Sequence, residues 1–370
     1  MESMTVDDRF RFHFRNLKQV FLYITDECNL RCKQCLYKPS VVLGRRMDCW
    51  TALRLLRVFR DMGAFKLTIL GGEATLYGRE ENHEPLARLI EHSKSMGYSY
   101  IRLDTNGQFG RNLLHHPSFK RLDELSFSID GYDATTNDSI RGRGTFCNAL
   151  ENLRYAIQLG YQVHVTTCAI RQNFGTEREG KGFIEKMVNF ACAEGAKGIN
   201  FHAVLRMGVP MDAWTEGTHI DPRYWLRAYR EVLAESDSYK RGVSIRLPLH
   251  VVPREEFERY PRYYGYCPAK LGERVLVHAN GIIRICSSLL STEYCVAKFS
   301  RKGIYWEEVT NELYRHDLNA VTPCTNQTAL YHEDLVPVCF SLKPYQNEPV
   351  WKELLDKDIL PKEPTTVGRD

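Results

Sequence analysis

Six times between residues 19 and about 205, a short run rich in β-branched and aromatic residues gives way to a stretch of helical period or a turn. Strand patterns cover 19–25, 66–70, 100–104, 124–129, 162–169 and 198–204, and amphipathic helical patterns cover 51–62, 86–96, 146–159 and 182–193. Each of these four helical stretches runs into a glycine, Gly63, Gly97, Gly160 or Gly195, the residue that most readily turns left-handed after a helix. A strand that returns through a helix lies parallel to its predecessor. The alternation therefore predicts an α/β fold, a parallel sheet curled into a partial (β/α)6 barrel.

Parity within the strands adds a second constraint. Ile101 and Leu103, Leu125, Phe127 and Ile129, Val163 and Val165, and Ile199, Phe201 and Ala203 share one face, which suits packing beneath helices. The other face carries Arg102, Asp104, Ser126, Ser128, Asp130, His164, Thr166, Cys168, Asn200, His202 and Arg206. Closed eight-stranded barrels fill their interior with branched apolar side chains, so a polar inner face predicts an open lumen for a polar ligand. The plainer alternative places some of these side chains at solvated strand ends.

Beyond residue 205 the alternation lapses. A helical pattern covers 221–234, a stretch rich in Arg, Pro and Tyr follows, and cysteines recur to about residue 340. The expected division is an N-terminal extension (1–18), the barrel (19–240), a small cysteine-rich domain (241–345) and a polar tail (346–370). With 50 Lys and Arg against 46 Asp and Glu, the net charge of +4 is spread without basic runs, which argues against a nucleic-acid partner. No stretch approaches the roughly 18 apolar residues of a membrane span. The opening MESMTVDDRFRFHFRN lacks the apolar core of a secretory signal, so a cytoplasmic protein is expected.

Twelve cysteines in 370 residues fall well short of the roughly 8 to 10% of a disulfide scaffold. Clustered cysteines in a reducing compartment read as metal ligands or nucleophiles. Cys28, Cys32 and Cys35 lie in the loop after the first strand, spaced C-x3-C-x2-C. Three thiolates on one loop can hold three irons of a [4Fe-4S] cluster and leave the fourth open, whereas a closed zinc site needs a fourth protein ligand that is not nearby. A zinc or redox loop is the alternative. This spacing, after a strand that opens a β/α series, resembles the radical S-adenosylmethionine (SAM) superfamily. The resemblance implies SAM on the open iron and a 5′-deoxyadenosyl radical upon one-electron reduction.

The same resemblance assigns further residues. Gly71, Gly72 and Glu73 follow the second strand, where the family binds the methionyl amine. Glycines permit close backbone approach, and a carboxylate accepts from an ammonium group. Asn106 lies in DTNG after the third strand, Ser128 and Asp130 close the fourth in SFSIDG, and Arg141 follows in IRGRG. By resemblance Arg141 contacts the SAM carboxylate or ribose region and Ser128 the ribose; a plain Asp-Gly turn is the alternative at 130–131. One position departs from the family: the residue before Cys35, often aromatic there, is Gln34.

Cys267, Gly281 and Cys286 reproduce C-x(9–15)-G-x4-C around the hairpin signal Ala279-Asn280-Gly281. This resembles the opening of SPASM and shorter twitch domains, which append auxiliary iron-sulfur clusters to radical SAM barrels. Too few cysteines remain for two further clusters. One auxiliary [4Fe-4S] cluster is expected, on Cys267, Cys286, Cys324 and Cys339 with Cys295 as substitute; a zinc knuckle or buried apolar cysteines are the alternative.

The expected activity is that of a radical SAM oxidoreductase which abstracts hydrogen from a C–H bond of a polar small molecule. Resemblance to dehydrogenases of the 2-deoxy-scyllo-inosamine type implies oxidation of a secondary alcohol in a sugar or aminocyclitol, within antibiotic biosynthesis. An external one-electron reductant such as flavodoxin or ferredoxin is implied as partner. Three alternatives stand beside it: a peptide or protein maturase resembling anaerobic sulfatase-maturating enzymes; an epimerase in which Cys168 returns a hydrogen atom; and an electron carrier without turnover, which leaves Glu73, Ser128 and Arg141 idle.

Overall fold

A computed structural model describes residues 4–35, 43–176, 178–205, 217–234, 242–259, 267–286, 295–307, 334–339 and 341–342. Strand β1 (Thr5–Val6) and helix α1 (Asp8–His13) precede β2 (Gln19–Tyr23), α2 (Cys49–Asp61), β3 (Lys66–Leu70), α3 (Glu84–Ser95) and β4 (Tyr100–Thr105). Then come β5 (Glu124–Ser128), α4 (Ala134–Arg141), α5 (Thr145–Gln158), β6 (Val163–Ala169), α6 (Arg171–Phe174), α7 (Gly180–Ala193) and β7 (Gly198–Ala203). The remainder holds α8 (Pro222–Ala234), β8 (Ser244–Pro248), β9 (Val251–Pro253), α9 (Arg254–Arg259), β10 (Arg274–His278), β11 (Ile282–Arg284), β12 (Ala297–Phe299), β13 (Gly303–Trp306), β14 (Leu335–Pro337) and β15 (Ser341–Leu342).

Helix α2 shows why these elements form. Asp48 caps its start by accepting the Thr51 N–H at 3.0 Å, which satisfies one of the orphan donors of a first turn. Leu53, Leu56 and Phe59 recur at three-residue steps and are fully buried against the sheet. Gly63 ends the helix at φ 107°, a conformation that side chains resist. Cutting Phe59 to Ala would empty part of this contact, at a cost of about 3 to 5 kcal/mol.

Eight strands run parallel in the order β10-β2-β3-β4-β5-β6-β7-β8. The expected series β2 to β7 is thus extended at both edges by strands that lie beyond residue 240 in the sequence. The sheet continues past β10 through antiparallel β11, β12 and β13, and ends on β1; at the other edge β15 pairs antiparallel with β8. Among the described residues no pairing closes the ring, so the barrel is partial. Residues before 19 belong to the same body: Phe10 and Phe14 are fully buried, and Phe10 packs on Phe59 with ring centroids 6.2 Å apart.

The two faces of the sheet differ as parity implies. Ile101, Leu103, Leu125, Phe127, Val163, Val165, Ile199 and Phe201 are buried beneath the helices, and Ala203 is half-buried. On the inner face the register sets Arg102 beside Glu124, Asp104 beside Ser126, Thr166 beside Asn200, and Cys168 beside His202; Arg206 lies outside the described residues. Helix α4 has no counterpart in the sequence expectation, because its residues ATTNDSIR carry no aliphatic stripe. It forms where Asp133 caps Thr136 N–H at 2.7 Å and Ile140 packs inward.

Candidate active site

The cysteine loop leaves the end of β2 and is stitched to the loop after β3. Gly72 N–H donates to the Thr25 carbonyl and Glu73 N–H to the Glu27 carbonyl, both at 2.7 Å. A Cβ on Gly71 would lie 2.5 Å from the Thr25 oxygen, and one on Gly72 2.2 Å from the Glu27 oxygen, so the two loops can approach this closely only through glycine. Cys28 Sγ accepts from Leu30 N–H at 3.4 Å and, weakly, from the Asn106 amide at 3.8 Å. That amide also donates to Asn29 Oδ1 at 2.8 Å. Further along, Lys33 N–H donates to the Ile140 carbonyl at 3.0 Å, which ties the loop to the end of α4.

Burial pushes the Cys28 thiol up to about 12 and raises Cys32 as well, although the Arg141 charge draws Cys32 partly back. Thiols held this way become thiolates only when a multivalent cation offsets the lost hydration. As they stand, no three His, Cys, Asp or Glu side chains among the described residues form a group that could hold a metal ion. The fit of the loop to a cluster therefore rests on its donor set and its bracing.

Glu73 is buried, and its carboxylate takes four donors. Oε1 accepts from Thr75 N–H at 3.1 Å, Thr75 Oγ1 at 2.6 Å and Thr105 Oγ1 at 2.7 Å, and Oε2 accepts from Asn106 N–H at 2.6 Å. Burial raises its pKa while these bonds oppose the rise. The side chain expected to meet an ammonium is thus first a brace between the ends of β3 and β4, with lone-pair capacity left on Oε2. Thr75 and Thr105 escaped the sequence reading because neither carries a distinctive spacing.

Asp130, fully buried beyond the end of β5, is the second hub. Its Oδ2 meets Gln34 Nε2 and, at 2.7 Å, Arg141 Nε; its Oδ1 accepts the Cys168 N–H at 2.7 Å. The Arg141 Nε–H is poorly aimed along that contact and has no hydrogen-bond partner, so the pair is ionic with donor capacity to spare. Burial works against the Arg141 charge, but Asp130, with Cys32 and Cys168, outweighs it and raises the pKa. Ser128 stays half-open beside Thr166. Cys168 is half-buried against Ile140, Ile170 and Val204, and burial followed by the Asp130 charge keeps its thiol protonated.

Lower on the inner face Arg102 contacts Asp104, Glu124 at 3.2 Å and Thr166 Oγ1 at 3.0 Å. Tyr100 donates to Glu124, and Ser126 shares a 2.8 Å bond with Thr166. Asn200 and the His202 ring are 2.8 Å apart. Lost hydration of the ring holds both His164 and, although its surface is exposed, His202 below their ordinary pKa, so the lumen presents neutral imidazoles among hydroxyls and a compensated charge cluster.

At the C-terminal side, the Ala279-Asn280-Gly281 turn closes the β10–β11 hairpin, with Gly281 at φ 86°. Cys267 and Cys286 are buried at either end of it, and each sulfur accepts a hydrogen bond at 3.5 Å, from Lys270 N–H and Arg274 Nη2 respectively. Cys295 and Cys339 are half-buried. Cys324 lies outside the described residues.

Comparison with known proteins agrees with this geometry. Residues 22–176 match the Radical SAM superfamily model. A GTP 3′,8-cyclase of Haemophilus ducreyi is 30% identical over 174 residues, 46% of this chain and 49% of that protein. The chain thus spans about half the length of the first curated relatives it matches. A probable GTP 3′,8-cyclase of Saccharolobus solfataricus is 23% identical over 83% of this chain and 93% of its own length. Among solved structures, Streptococcus suis SuiB bound to its precursor peptide SuiA superposes with TM-score 0.59 at 14% identity, covering 83% of this chain and 66% of SuiB. The enzyme anSMEcpe with bound AdoMet superposes with TM-score 0.57 at 15% identity, covering 83% of each chain; at such identities the likeness concerns the fold. Radical SAM domains use SAM and a [4Fe-4S] cluster as cofactors, which suits the three-thiol loop, the glycine approach and the spare donor of Arg141.

Proposed function

We propose that this chain abstracts hydrogen from a C–H bond of a hydroxylated small molecule held in the lumen and oxidises a secondary alcohol. When bound, SAM and the cluster supply the hydrogen-abstracting radical. Cys28, Cys32 and Cys35 hold the cluster, and the stretch 71–73, with Asn106, Ser128, Asp130 and Arg141, shapes the SAM site. Cys267, Cys286, Cys324 and Cys339 would hold an auxiliary cluster, which would offer an acceptor for the electron left on the substrate after hydrogen abstraction, while a small electron-transfer protein would supply the separate electron that SAM cleavage consumes.

The observation that carries the substrate class is the inner face. One guanidinium, Arg102, is shared by two carboxylates, Asp104 and Glu124, and the neighbours are hydroxyls, an amide and neutral imidazoles. Such a surface matches hydroxyl and amine groups by hydrogen bonding. It is ill suited to a triphosphate. The curated relatives nevertheless favour a second reading, cyclisation of a purine nucleotide.

Anaerobic incubation with SAM and dithionite separates the two. A loss of two mass units from an aminocyclitol or sugar supports oxidation. Turnover of GTP at unchanged mass, with no reaction of polyols, overturns it.

A further inference from the structure

Arg274 opens strand β10, and the hairpin register that pairs Leu276 with Arg284 brings it level with Cys286. Residues directly opposite in an antiparallel pair share one face, so their side chains can meet. They do: Arg274 Nη2 lies 3.5 Å from Cys286 Sγ, and Arg274 Nε donates to the Ile285 carbonyl at 3.3 Å. Two nitrogens of one planar group thus hold two consecutive residues just beyond β11. A guanidinium keeps its protons, so the nitrogen donates and the sulfur accepts. Cys286 is 1% exposed. A neutral thiol packed among apolar side chains is a weak acceptor that does not call for a cation, whereas a sulfur carrying negative charge does.

The sulfur at the other cysteine site is surrounded differently. Cys28 Sγ takes two neutral donors, Leu30 N–H and the Asn106 amide, and after burial the nearby Glu73 charge further opposes its ionisation. Cys286 instead meets a fixed positive charge. The carboxylate next to Arg274 in the chain, Glu273, is paired with Lys18 at 2.5 Å, so it adds no uncompensated negative charge beside the guanidinium. Hydrogen bonds to the ligating sulfurs and the local charge are two of the quantities that set the potential of an iron-sulfur cluster.

We propose that Arg274 tunes the auxiliary cluster through Cys286, its charge and its N–H bond favouring the reduced form, which carries one more negative charge. This rests on the auxiliary-cluster reading above. Under the oxidation reading, a cluster that is easier to reduce is a better acceptor for the electron left on the substrate.

A redox titration of the anaerobically reconstituted full-length protein, followed by electron paramagnetic resonance, tests this. The protein with Cys28, Cys32 and Cys35 all changed to Ala identifies the reduction step that belongs to the C-terminal cysteines. Arg274→Gln keeps an N–H donor and removes the charge; it should disfavour that step about tenfold, a shift of about 59 mV to more negative potential. The step of the other cluster should not move. Arg274→Lys keeps the charge and should fall between Arg274→Gln and wild type. An unchanged potential in Arg274→Gln with the second cluster in place overturns the proposal, and so does an equal shift at both clusters. Loss of the second cluster from both variants would make Arg274 a structural residue and would likewise overturn the tuning role. About four irons in each wild-type chain, all lost in the triple cysteine variant, would overturn the auxiliary-cluster reading itself.

Discussion

At the lower part of the inner face Arg102 commits its guanidinium to Asp104, Glu124 and Thr166, whereas at the strand ends above it Arg141 and Gln34 share one carboxylate and each keeps a polar atom unbonded. Both are buried ion-pair clusters. The lower one closes on itself, so its role is to hold β4, β5 and β6 in register without needing a ligand. The upper one is left incomplete by the protein. Buried polar atoms are costly to leave bare, and this difference is what the proposed SAM site rests on.

The largest effect expected is at the cysteine loop. Protein reconstituted without oxygen should carry about eight irons, two [4Fe-4S] clusters, and Cys28→Ala, Cys32→Ala and Cys35→Ala together should leave about four and abolish SAM cleavage. Tight zinc with little iron would remove the upper site from the comparison altogether.

Next come two cysteines with separate fates. If the substrate is oxidised, Cys286→Ala stops product formation while SAM cleavage continues, and Cys168→Ala still gives product. Product at the substrate's own mass, carrying one deuterium from D2O and lost in Cys168→Ala, would instead make Cys168 the hydrogen donor and the reaction an epimerisation.

Arg102→Leu against Glu73→Ala probes the contrast directly. Loss of Arg102 strands two carboxylates and should cost about 3 kcal/mol in urea unfolding, with SAM affinity in the surviving fold close to wild type. Glu73→Ala should lower SAM affinity about tenfold, because Asn106 and Thr105 lose the acceptor that fixes them beside Cys28. If Arg102→Leu weakens SAM as much as Glu73→Ala does, the two halves of the lumen are not independent.

The smallest effect is on pH. His202 lies exposed near the end of β7, yet the protein atoms crowded around its ring first, and then Arg102, Arg246 and His250, hold it down to about 3, below the ordinary 6.5. The native state therefore binds its proton less readily than the unfolded chain. Stability from this source is fully present above pH 6.5 and is lost as the pH falls toward 3. His202→Gln should lose less stability between pH 7 and pH 5 than wild type, read from urea midpoints; equal losses would show that this imidazole titrates normally.

The parallel strands and four long helices were legible because each carries its own periodicity. Strand β3 was expected at 66–70 and lies there, and α7 differs from expectation by one turn's edge. Helix α4 was not legible, since its stability comes from the Asp133 cap and from packing of Ile140 rather than from a stripe. The edge strands β8 and β10 were read as parts of another domain because their partners, β7 and β2, are distant in sequence. In the candidate site the cysteines stood out through spacing, and Gly71 to Glu73 and Arg141 through resemblance to a family. Gln34 showed only as a departure, because its meaning depends on Asp130, which lies in a different β/α unit.

Strand β2 carries the cysteine loop at its end and is flanked on one side by β3 and on the other by β10. During synthesis β3 follows within one β/α unit, but β10 emerges only after the whole parallel series has been made. Until then one edge of β2 is bare, with its N–H and C=O groups free to pair with another chain. A shortened protein ending at residue 240, a natural choice for isolating the barrel, keeps that edge permanently open. It should therefore aggregate at the very strand that presents Cys28, Cys32 and Cys35, however intact the remaining barrel strands are.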